Sequence, residues 1–100
     1  MNTLVMIVLN PRFCCTENFL RCLQDHLLDM VPGVPRGAVF TLKELCGRYN
    51  WDPLSNWDRM LSGMCMIYLV EHDLVPFVLV PRPGRNQYPL RYRIKESWDI

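Results

Sequence analysis

An α+β fold is predicted by three observations. A short helix opens on a cap at Phe40-Thr41-Leu42-Lys43-Glu44, a longer helix follows over Asn56–Asp73, and a basic strand pair lies between Phe77 and Lys95. Short helix, longer helix, charged hairpin is the plan of a winged helix-turn-helix: three helices and a C-terminal β-hairpin wing, here with an extra N-terminal strand. One hundred residues make one domain, with the strand and its turn over 1–15, a first helix over 16–31, the helix-turn-helix over 40–73 and the wing over 77–95.

The run Thr3 to Leu9 is rich in branched residues and stops at Asn10-Pro11, so it is predicted as a strand. It is too short for the ~20 residues that cross a bilayer and has no basic residue before it, so no membrane role is expected. Its apolar side chains Leu4, Met6 and Val8 are candidates for a partner-covered surface. Thr16 offers a cap for a helix from Glu17 to about Val31. Phe19, Leu20, Leu23, Leu27, Leu28 and Val31 recur at three- and four-residue spacing, and Pro32-Gly33 ends the stripe.

Thr41 followed three residues later by Glu44 is a capping box: the hydroxyl accepts from the Glu44 amide and the carboxylate reaches back to the Thr41 amide. Phe40 before the cap and Leu45 within the first turn form the staple, and Cys46-Gly47 ends this helix within two turns. Ser55 is a second cap. Around Asn56–Asp73, Trp57, Leu61, Met64 and Tyr68 share one face, read as core, with Arg59, Ser62, Met66, Val70 and Asp73 opposite. The C-terminal half is apolar nearly all round, so a second element or a partner is expected to cover it, and Met66 and Val70 are candidate partner contacts.

Phe77-Val78-Leu79-Val80 is strand-forming, Pro83 to Gln87 is turn material, and Tyr88, Leu90, Tyr92 and Ile94 alternate with Pro89, Arg91, Arg93 and Lys95. The chain carries a net charge of +1, unevenly distributed. Arg82 to Lys95 hold five basic residues and no acid, whereas residues 1–81 carry six basic and eight acidic groups.

These residues also carry a resemblance. Gly37 to Leu45, then Trp51, then Arg59 with Gly63 four positions on, then Tyr92-Arg93-Ile94, are similar to a small family of bacterial and phage proteins, a winged-helix-like domain of unknown function. The resemblance covers roughly Pro35 to Lys95. It implies a phage or mobile-element setting and a winged-helix shape, and it supplies no catalytic residues.

Two functions follow as expectations. The first is a small phage or bacterial regulator binding double-stranded DNA, with Arg82, Arg85, Arg91, Arg93 and Lys95 on phosphate and Lys43, Asn56 and Arg59 near the groove. The second is a protein-interaction module on the same fold, such as a phage-encoded inhibitor of a host defence (anti-CRISPR-like) or transcription complex. In that case the basic wing meets an acidic host protein. The long helix favours the second, because base readout wants Arg, Lys, Asn or Gln, and only Arg59 and Asn56 qualify there. The acid-free basic wing favours the first or an acidic protein groove, and fold analogy gives the first, the expected function, its edge. The apolar strand and two-sided helix suggest a homodimer.

The five cysteines (Cys14, Cys15, Cys22, Cys46, Cys65) are odd in number and lack paired spacing, which points to free thiols in a reducing cytosol. The resemblance implies that this is the cytoplasm of a bacterial host. Cys22 and His26 are four apart on one helix, a zinc-compatible spacing, but no second ligand pair follows, so no metal or other cofactor is expected. The two histidines, His26 and His72, lie in no nucleophile motif, and no phosphate-binding glycine loop is present, so an enzyme is not expected.

Overall fold

The computed structural model describes residues 4–81 and 89–96. Arg82, Arg85 and Tyr88, and the turn over 83–87, lie outside the described residues. The chain begins with a hairpin, β1 (Met6–Asn10) and β2 (Phe13–Thr16), paired antiparallel with Val8 opposite Cys14 and Met6 opposite Thr16. The Asn10 side-chain oxygen accepts from the amides of Arg12 (2.8 Å) and Phe13 (3.0 Å), and this closes the turn. The N-terminal strand therefore does not stand alone. Asn10-Pro11 ends the strand, as the sequence predicts, and also reverses the chain into a second one.

Helix α1 (Glu17–Met30) starts as the sequence predicts, with the Thr16 hydroxyl accepting from the Phe19 amide at 3.1 Å. Its final turn tightens into a 3-10 turn over Val31–Gly33. Strand β3 (Phe40–Thr41) leads into α2 (Leu42–Cys46). Both halves of the capping box are present: Glu44 N–H donates to Thr41 Oγ1 at 3.2 Å, and Thr41 N–H donates to Glu44 Oε1 at 2.9 Å. Gly47 follows at φ +78°, a conformation that favours glycine, and permits the immediate start of a one-turn helix, α3 (Arg48–Trp51). The Ser55 hydroxyl caps α4 (Asn56–Glu71) by accepting from Asp58 N–H at 3.1 Å.

The end of α4 is a Schellman arrangement. Leu74 N–H reaches the Leu69 carbonyl (2.9 Å) and Asp73 N–H reaches that of Val70 (3.3 Å), with Asp73 at φ +57° in the left-handed position usually given to glycine. Strands β4 (Phe77–Leu79) and β5 (Arg91–Ile94) then pair antiparallel, and β5 also pairs with β3, giving the order β3-β5-β4. Along β5, Tyr92 and Ile94 are buried while Arg91 is exposed and Arg93 half-buried, the period of two that the sequence predicts.

The core joins α1, α2, α4, the three-stranded sheet and the hairpin. Leu27, Leu45, Cys65, Met66, Leu69 and Phe77 are its largest fully buried members. Among the described residues this is an α+β domain of four α-helices and two small antiparallel sheets. None of these helices is long and apolar enough to cross a membrane.

The face assignment on α4 needs correction. Leu61, Ser62, Cys65, Met66 and Leu69 are buried, whereas Trp57 is 59% exposed and Met64 and Tyr68 are half-buried. Met66 is fully buried and has no surface to offer a partner, and Val70 packs partly against the core. The reason is that α1 and the hairpin cover the side of α4 centred on Cys65, which turns the Trp57 edge outward.

Candidate functional site

Two apolar stripes run along α4. One, Leu61-Cys65-Met66-Leu69, enters the core. The other, Trp57-Met60-Met64-Ile67, repeats at three- and four-residue steps and faces outward, with Met60 37% exposed and Met64 and Ile67 half-buried. Of this second stripe, Met60, Met64 and Ile67 floor a groove of about 380 Å³ whose walls are Thr41, Leu42 and Lys43 at the start of α2, Trp51 of α3, and Pro89 and Leu90 ahead of β5.

Gly63 sits at the middle of the floor. A Cβ built on it meets no heavy atom within 4 Å, and its φ lies outside the positive range. Neither packing nor backbone conformation therefore calls for glycine here, although a glycine inside a helix costs about 1 kcal/mol relative to alanine. What it leaves is open space where another chain can approach the helix closely.

Two cations, Lys43 and Arg59, line the groove. Lys43 is exposed on the α2 wall. Arg59 is half-buried, with its guanidinium carbon 5.8 Å from the centre of the Trp51 ring and Nη2 donating to the Asp52 carbonyl at 3.2 Å. Arg59 Nε is buried without a hydrogen-bond partner. At the other edge, Trp57 leans on Phe13 with ring centroids 5.9 Å apart, and Asn10 Nδ2 lies 3.4 Å from Met64 Sδ, so the hairpin turn borders the same surface.

The candidate nucleic-acid residues that the structure describes lie on α2, on α4 and along or just after β5. Lys43 and Arg59 meet in the groove, and Asn56 is exposed at the first turn of α4. Arg91 is exposed on the face of β5 opposite Leu90 and Tyr92, where its charge helps hold the Glu44 carboxyl down. Arg93 Nη1 donates to the Ile94 carbonyl at 3.3 Å, and Lys95 forms an ion pair with Asp73. Arg82 and Arg85 lie outside the described residues. Of the partner-surface candidates, Leu4, Met6 and Val8 are exposed together on the hairpin.

The Glu44 carboxyl is held below its ordinary value of 4.5, first by the Thr41 amide and then by the Thr41 hydroxyl. Burial pushes the Cys46 thiol up to about 11 and the Cys65 thiol further, with Cys15 beside it. Cys22 is exposed, and His26 Nε2 lies 3.1 Å from the Leu45 carbonyl, which occupies that ring nitrogen. No group of three or more metal-ligating side chains occurs among the described residues.

Of the groove residues, Met60 was not singled out from sequence and Met64 was read as core, although their signal was present as a second period along α4. Gly63 entered only through the resemblance. No family model, curated protein or solved structure matches this chain.

Proposed function

We propose that this chain is a winged-helix protein-interaction module. The strand order β3-β5-β4, with a strand preceding the short helix and a hairpin following the long one, supports the winged-helix reading. The resemblance over residues 35–95 belongs to the same proposal, as does the phage or mobile-element setting it implies. The observation that carries the function is the outward face of α4. A DNA-reading winged helix presents polar side chains from this helix to base edges. Here the same face is Met60, Gly63, Met64 and Ile67 at the bottom of a groove.

The occupant the groove suits is an amphipathic segment of a protein partner, with apolar side chains along α4 and a carboxylate toward Lys43 and Arg59. Methionine-lined surfaces adapt to such segments. A panel of amphipathic peptides, with and without an acidic residue at one end, tests it by amide chemical-shift mapping. Shifts centred on Met60, Gly63 and Ile67, stronger for the acidic peptides and abolished in Gly63→Leu, are expected. Peptide binding that Gly63→Leu leaves intact places the contact elsewhere and defeats the reading.

A second reading is favoured by the exposed Arg91 and the acid-free run that contains it: the wing contacts DNA phosphate. Anisotropy titrations on a mixed-sequence duplex compare the wild type with Arg91→Ala/Arg93→Ala. Removing one phosphate-bound cation flattens the slope of log affinity against log salt by about 0.9. Salt-steep binding that the double variant weakens would make the chain a DNA-binding protein, and no binding at low salt would remove that reading.

A further inference from the structure

Strand β1 has one strand neighbour among the described residues, β2, and no described strand covers its far edge. The hydrogen-bonding pattern says which residues face that edge. Glu17 N–H donates to the Val5 carbonyl at 2.8 Å, and the register places Ile7 opposite Cys15 and Met6 opposite Thr16. In an antiparallel pair, residues alternate between those bonded to the neighbour and those bonded away from it. Val5 and Ile7 bond toward β2, so the N–H and C=O groups of Leu4, Met6 and Val8 point outward.

The side chains of the same three residues are exposed to solvent. Leu4 is 76%, Met6 50% and Val8 70% exposed, while Ile7 and Leu9 pack on the core. Exposed sheet edges are ordinarily protected by a charge, a proline or a bulge. Residues 4–8 contain no charged residue and no proline, and the register shift falls after Val8, beyond this segment.

We infer that β1 is a self-pairing edge: a second copy of this chain adds antiparallel to it about a two-fold axis through Met6. The segment is self-complementary. Placing Met6 opposite Met6 of the second copy sets Leu4 opposite its Val8 and Val8 opposite its Leu4, so all three outward-bonding residues pair at once. Every such cross-strand pair is apolar, and a two-fold contact requires this reciprocity. With a net charge of +1 per chain, no strong repulsion opposes the approach. The resulting sheet has the order β2-β1-β1-β2. Five paired residues at ~3.3 Å each span only ~17 Å, too little to supply the ~800 Å² per partner of a standard interface. The dimer is therefore concentration-dependent, not obligate.

Sedimentation over a wide concentration range, with the full chain, tests the association. A monomer–dimer equilibrium is expected, and Val8→Lys should weaken it about tenfold or more while the circular dichroism spectrum and thermal midpoint stay near wild type. Leu4→Lys, at a position ahead of the regular strand, should do the same and guards against a hairpin that fails to form. The register is tested by diamide oxidation in a Cys14→Ser/Cys22→Ser background. Met6→Cys should cross-link to itself, because directly opposed residues in a bonded pair have Cα atoms about 5.5 Å apart. Val8→Cys, which faces Leu4, should not. A monomer throughout the range, a dimer indifferent to both lysine variants, or equal cross-linking at positions 6 and 8 would each overturn the inference.

Discussion

Arg59 lies over Trp51, its guanidinium carbon 5.8 Å from the ring centre, and the same side chain reaches the Asp52 carbonyl. One residue thus ties the first turn of α4 to α3 and to the loop between them. The side chain that looked best suited to read a base is held by the protein itself.

Arg59→Ala is accordingly expected to lower stability by about 1 kcal/mol, the scale of a partly exposed cation–π interaction together with one hydrogen bond. Arg59→Lys should recover little of it, because an ammonium lacks the planar face and the forked donors. Urea unfolding midpoints at constant slope measure both. A stability unchanged in Arg59→Ala would mean the stacked geometry contributes nothing in solution.

Gly63→Ala is expected to stabilise the fold by up to about 1 kcal/mol, since the added methyl enters open space and the helix gains a better former. The paired expectation is functional. If the open space serves a partner's close approach, the stabilised variant binds groove peptides more weakly than the wild type, so the two effects have opposite signs. A thermal melt and the same peptide titration, run on one preparation, read both.

How much was legible in the sequence follows from how local each signal is. The three helix starts at Thr16, Thr41 and Ser55 were legible because a cap is decided by residues three apart. Strand β2 was not: Phe13 to Thr16 is only four residues long, and Asn10-Pro11 marks the end of a strand as readily as the turn of a hairpin. Helix α3 is likewise a single turn, with no room for a period. The α4 error has a different cause. With apolar residues on two sides, the helix has no single hydrophobic direction, so choosing the core face requires knowing that α1 and the hairpin cover Cys65. The groove was hidden by the same ambiguity, because Met64 was read as core and Ile67 belongs to a half-helix apolar on nearly every side.

The capping box should leave a mark on acid unfolding. Glu44 in the folded chain titrates below 4.5, so between those two values the unfolded state binds more protons. Its contribution is complete above the unfolded value and is lost as pH falls through the folded one. Glu44→Gln should therefore flatten this part of the acid limb while changing the pH dependence little near neutrality. Thr41→Ala removes the hydroxyl that holds the carboxylate and should cost about 1 kcal/mol at neutral pH, as other cap deletions do. Urea midpoints across the acid range separate the two. An identical acid limb in wild type and Glu44→Gln would refute the assignment.

The cysteines divide by face, and thiol labelling can count the division. Cys14 and Cys15 are neighbours on β2, yet successive strand residues point to opposite sides, leaving Cys14 exposed and Cys15 buried. Cys15 Sγ lies 3.7 Å from Cys65 Sγ, within the core between the hairpin and α4. Burial raises Cys65 strongly and Cys46 to about 11, so near pH 8 only roughly one Cys46 in a thousand is the reactive thiolate. Cys22 is exposed on α1. A disulfide reagent added to the native chain should thus show a fast phase of two equivalents, reduced to one in Cys14→Ser and to one in Cys22→Ser. The remaining three should appear only as denaturant opens the core, at a rate that follows global unfolding. A third fast equivalent lost in Cys15→Ser would mean that the hairpin lifts from α4 on its own, a local opening with a lower free energy than unfolding the domain.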